Sequence, residues 1–136
     1  MSYRDLHNNI AIAESVRPQV ISSTAVTGEP VDTLGSDCIE CVVSVGAVVG
    51  TNDDGSIEIQ ESDVLGSGYT AVAAADLLGT EPTDLVPNTT YNVGYIGTKR
   101  YVKAVASRGT ETSVAVSAVF VKGDLAIKPD GYSVAS

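Results

Sequence analysis

From residue 34 onward, apolar and polar residues alternate in short runs broken by Gly, Pro, Asn and Asp, the pattern of β-strands separated by turns. Residues 37–49 are rich in valine and long enough for a central strand. The polar stretch Thr51-Asn52-Asp53-Asp54-Gly55 follows as a turn, and Ile57 and Ile59 then alternate with Glu58 and Gln60 over residues 56–61. The two strands are expected to pair as a hairpin with one wet face. Gly66 and Gly68 break the chain before residues 69–73, and residues 74–78 suit a helical turn or a strand edge. Pro82 and Pro87 bracket a loop, after which residues 90–96 and 100–107 flank Gly97-Thr98-Lys99 as a second expected hairpin. In the last long strand, 112–122, Val114, Val116, Ala118 and Phe120 share one face, and Ala115, Ser117, Val119 and Val121 the other. Both faces are apolar, so this strand lies between two covering layers or gives one face to an interface.

Residues 1–33 lack this regularity. Pro18, Gly28 and Pro30 interrupt the short apolar groups Ile10-Ala11-Ile12 and Val20-Ile21, as in an extended arm with room for one strand. Helical periodicity fails throughout, and its nearest candidate, residues 8–15, spans only about two turns. The pattern therefore predicts an all-β protein: a single β-sandwich or small β-barrel of about seven to eight short strands over residues 34–136, with an extended N-terminal arm over 1–33.

Composition narrows this further. At 136 residues the chain is long enough to bury a single core, and 43% hydrophobic residues against 18% charged exclude wholesale disorder. The longest apolar-leaning run, 41–49, is too short to cross a bilayer, which takes about 20 residues. Asp5 and His7 stand where a secretory signal would need basic and then apolar residues, so synthesis is expected to end in the cytoplasm. The net charge of −9 is unevenly spread. No Lys or Arg occurs between Arg17 and Lys99, a stretch that holds Asp53, Asp54, Glu58, Glu61 and Asp63 among its acids, whereas Lys99, Arg100, Lys103, Arg108, Lys122 and Lys128 follow. An acidic surface repels phosphate, which disfavours nucleic acid and suits charge-complementary contact between copies or with another protein.

The candidate chemistry is sparse. Cys38 and Cys41 form a Cys-x-x-Cys pair, yet they sit in a strand whose alternation sends residues three apart to opposite faces, and no further zinc ligands accompany them. They are expected to be packed strand cysteines. A Ser/His/acid triad would have to draw on His7, the sole histidine, from the arm. The residues from Asn52 to Glu58 hold hard oxygen ligands near a Gly but lack the spacing of a calcium loop, and a turn accounts for them. The chain is thus expected to be no enzyme and to carry no cofactor or metal.

What stands out instead is Tyr3-Arg4-Asp5-Leu6-His7-Asn8-Asn9-Ile10 at the start, Ile59-Gln60-Glu61-Ser62-Asp63, and Tyr95-Ile96-Gly97-Thr98-Lys99-Arg100-Tyr101-Val102. In this order the combination resembles a family of small structural proteins of tailed bacteriophages, found among head genes near the major capsid protein. The resemblance implies a capsid decoration, or cement, protein on the outside of the virion shell, made in the host bacterial cytoplasm and bridging capsid subunits. Its expected partners are the major capsid protein and further copies of itself, as a dimer or trimer, with no nucleic acid and no membrane. The two cysteines and the acidic stretch depart from the family's pattern. Tyr3, Arg4, Leu6, Ile10 and Ile12 in the arm, and Lys99, Arg100 and Lys103 late in the chain, are the expected contact residues, the bases meeting the acidic stretch of another copy or the shell. The alternative is a tail or tail-tip β-domain that binds a host surface receptor, against which the low aromatic content counts.

Overall fold

Valine, isoleucine and alanine at every second position make strands with one buried side, and in the computed structural model, which describes residues 6–125, ten strands bury those sides against one another. They are β1 (Ala11–Ile21), β2 (Ala25–Thr27), β3 (Val31–Asp32), β4 (Ser36–Val49), β5 (Ser56–Ser62), β6 (Thr70–Ala71), β7 (Leu77–Leu78), β8 (Thr89–Tyr95), β9 (Tyr101–Ser107) and β10 (Ser113–Leu125). The first sheet runs β1-β10-β4-β8-β7 and the second β2-β9-β5-β6, with β3 also on β9. Every pairing is antiparallel. The protein is an all-β sandwich.

One core fills the space between the sheets. Val43, Val45, Val114 and Phe120 of the first sheet meet Ile57, Ile59, Val102 and Ala104 of the second, all fully or nearly fully buried. Leu85 closes the core from the loop before β8, where its N–H donates to the Gly55 carbonyl at 3.0 Å. No helix among the described residues is long and apolar enough to cross a membrane.

Three expectations change. Residues 37–49 and 56–61 form strands but no hairpin: β4 pairs with β10 and β8, whereas β5 pairs with β9 and β6. Likewise β8 and β9 lie in different sheets. Both polar turns carry the chain across the core, and two apolar runs around a turn look alike in sequence whether they pair or face each other across a sandwich. The third change concerns the arm. From Ala11 on, the stretch expected to be an arm belongs to the sheets, with Val16, Ile21 and Val31 in the core. Register shifts between Glu14 and Val16 and between Val16 and Gln19 break the alternation of β1, which is why its strand pattern is hard to see. The nearest helical candidate is a 3-10 turn at His7–Asn9 leading into β1, and residues 74–78 provide both expected features, a 3-10 turn at Ala74–Asp76 followed by β7.

The shift at Ser15 stitches the two sheets together. Between β2 and β3 the Gly28 N–H still donates to the Ala104 carbonyl of β9 at 2.8 Å, but the Ala104 N–H donates to Ser15 Oγ at 3.0 Å, which donates in turn to the Glu29 carbonyl at 2.9 Å. The Glu29 N–H returns a bond to the Ser15 carbonyl at 2.7 Å. Glycine is required at 28, since a Cβ there would lie 2.6 Å from the Ala104 carbonyl oxygen and against Ser15 Oγ.

Candidate functional site

The late bases sit where the chain crosses from β8 to β9. Tyr95, the last residue of β8, is buried, and its Oη donates to Glu61 Oε1 at 2.7 Å and accepts the Lys99 N–H at 3.0 Å. Burial, and then the bond to Glu61, pushes this phenol well above its ordinary range. Gly97 lets the chain wrap over the hydroxyl, because a Cβ would come within 2.5 Å of it. The loop thereby holds Lys99 and Arg100 outward in a fixed place.

Each base then meets an acid of its own chain. Lys99 Nζ pairs with Asp63 at 2.9 Å, and the Arg100 guanidinium grips Asp32 through Nε at 3.0 Å and a second nitrogen at 2.9 Å. The Arg100 hydrogen bond holds the Asp32 carboxyl below its usual value, as Lys99 does for Asp63. The acids and bases expected to attract each other between copies are thus matched in part within one copy. These pairs are half exposed, so water and salt screen them and they add little to stability. Arg100 also lies over the Tyr101 ring at 5.1 Å, and Lys103, on the outward side of β9, stands 3.9 Å over the Tyr69 ring.

Of the expected contact residues in the first segment, Tyr3 and Arg4 lie outside the described residues. Leu6 and Ile12 are 67% and 63% exposed, and Ile10 is half-buried. The two groups share one end of the sandwich: Ala11 pairs with Lys122, whose ammonium reaches the carbonyl of Asp32, the residue that holds Arg100. Cys38 is exposed and Cys41 buried, as opposite faces of a strand require. Burial pushes the Cys41 thiol up to about 12, with smaller contributions from Glu40 and Glu81. Of the Asn52 to Glu58 stretch, residues 52–55 are a crossover loop and 56–58 begin β5, with the Asp54 carboxylate accepting bonds from the N–H of Thr110 at 2.9 Å and from its hydroxyl at 2.5 Å. Among the described residues no three His, Cys, Asp or Glu side chains gather in a group that could hold a metal ion.

This end is organised by Tyr95, Glu61, Asp63, Asp32 and Tyr69; the sequence marks Glu61 and Asp63 as counterparts of the late bases across copies or at the shell but not their bonds within one chain, and gives no such role to Tyr95, Asp32 or Tyr69. Their partners are distant in sequence, so only the sandwich topology brings them together. Tyr95 carried one readable signal, an aromatic just before a glycine turn.

Comparison with known proteins gives no match: no protein family, no curated protein and no solved structure corresponds to this chain at the threshold applied.

Proposed function

We propose that this chain is a structural virion protein that decorates and stabilises the outer surface of a tailed-phage capsid by bridging capsid subunits. The observation that carries this reading is the open edge of β1. Among the described residues the strand pairs on one side only, with β10, and at its start stand the exposed Leu6 and Ile12. Further along, Pro18, the register shifts and the Glu29–Ser15 bond blunt the edge. What stays open is the half adjoining the N-terminal motif on which the phage resemblance rests, and an open edge with apolar side chains suits strand addition by a neighbouring subunit. A second reading, a tail domain that binds a host surface receptor, is favoured by Tyr69, Tyr101, Lys103 and Arg100 gathered on the second sheet.

Purified shells lacking the chain, mixed with it, sedimented and imaged by electron cryomicroscopy, separate the two readings. The decoration role expects many regularly placed copies on the exterior, and it expects Ile12→Lys to weaken binding about tenfold, or about 1.4 kcal/mol, with unchanged circular dichroism. Absence from the shell, or a few copies confined to the tail, overturns it.

A further inference from the structure

We infer that the outer face of the first sheet seats a second copy of this chain, packed face to face about a two-fold axis. The face carries few charges and mixes aliphatic side chains with the small or neutral polar Ser44, Thr90, Asn92 and Ser117. Its outward positions include Val119 and Val121 of β10, Val42 of β4 and the exposed Leu78 and Val20. Glu14 is paired with Arg17 at 3.4 Å, and Glu40 accepts a bond from the Asn92 side chain. On the second sheet the outward positions include Glu58, Gln60, Tyr101 and Lys103, a surface that is content in water.

Size and charge point to another copy as the occupant. Five strands spaced about 4.8 Å apart, the longest with 14 residues and the shortest with 2, rising about 3.3 Å per residue, make a face on the order of 750 Å². That is close to the roughly 800 Å² each partner buries in a stable interface of standard size. A net charge of −9 opposes self-association, so copies meet most readily where their acids are fewest and already bonded. A groove of about 280 Å³ beside Leu78 and Val121 lies toward one end of the β4–β10 pair, and one of about 290 Å³ beside Val20 and Ala115 lies toward the other. Val42 and Val119, paired across β4 and β10, lie between them, and a two-fold axis in the face and across the strands sets this pair against the same pair of the second copy.

Sedimentation of the full chain alone tests this without any shell, so its outcome is separate from that of the capsid reading. A dimer is expected at about 10 μM, with Val119→Lys raising the dissociation constant at least about tenfold and Val105→Lys, on the second sheet, leaving it unchanged. Cys38 borders the first groove and is exposed in the single chain, so its alkylation rate should fall as protein concentration rises. This reading needs no variant and decides the matter if Val119→Lys fails to fold. A monomer up to about 100 μM, a trimer, equal sensitivity to Val105→Lys, or a Cys38 rate independent of concentration overturns the inference.

Discussion

Among the described residues the chain passes from one sheet to the other six times, and two of these crossings, both through polar turns, are each fastened by a buried side chain that accepts a backbone N–H from the loop. At the crossing from β4 to β5, Glu111 Oε1 accepts the Asn52 N–H at 2.9 Å, while a Cβ on Gly50, whose φ is +141°, would stand 2.5 Å from the same oxygen. At the crossing from β8 to β9, the Tyr95 hydroxyl accepts the Lys99 N–H at 3.0 Å over Gly97. The fastenings differ in what remains. Tyr95 also donates, to Glu61, so its single oxygen is satisfied. Glu111 is 1% exposed, and its second oxygen has no hydrogen-bond partner. A hydroxyl with one donor and two lone pairs closes its own network, whereas a carboxylate brings more acceptor capacity than the loop can fill.

This contrast can be broken by substitution. The largest expected effect is at Tyr95: removing the ring in Tyr95→Ala should cost about 3–5 kcal/mol, and Tyr95→Phe, which leaves the Lys99 N–H and Glu61 without their partner, about 1–3 kcal/mol in urea unfolding. A Tyr95→Phe variant as stable as the parent would mean that the hydroxyl fastens nothing. Glu111→Gln should behave differently, since the amide keeps the acceptor and shape while removing a buried charge. Its stability should be unchanged or raised, by under about 1 kcal/mol. A loss beyond about 2 kcal/mol would show that the charge itself holds the loop. The smallest effect is expected at Arg100→Gln, whose ion pair with Asp32 is solvent-exposed, so the urea midpoint at neutral pH should shift little. Asp32 has its pKa lowered below 3.8 by Arg100. Its contribution is therefore complete above that value and lost as pH falls through the lower folded value. Arg100→Gln should move the Asp32 titration, followed by carboxyl NMR, back toward 3.8 and remove this part of the acid dependence. An unmoved titration would assign the shift to other groups.

How much of this could be read from the sequence depended on the range of the interaction. The alternation from Val114 to Val121 places the last strand within a few residues of its bounds and shows both its faces to be apolar, because side-chain direction is a local property. The spacing of Cys38 and Cys41 places one thiol outside and one inside for the same reason. Pairing is a long-range property, and it was misread at both crossings. β1 escaped recognition because its register shifts erase the period of two. Lys99 and Arg100 were recognisable as exposed bases on a turn, but Asp63 and Asp32 are 36 and 68 residues away in the chain, and nothing local marks them as partners.

The pairing of β1 with β10 sets a clock on synthesis. β1 is complete at residue 21, and its sheet partner among the described residues begins at residue 113. At about 5–20 residues per second, the first strand emerges and waits on the order of 5–20 s before that partner exists. Throughout that interval a regular apolar strand would be free to join its counterpart on a neighbouring nascent chain. Pro18 and the two register shifts make β1 a poor template for such pairing. The irregularity that hides the strand in the sequence thus also guards the newborn chain until its last strand arrives.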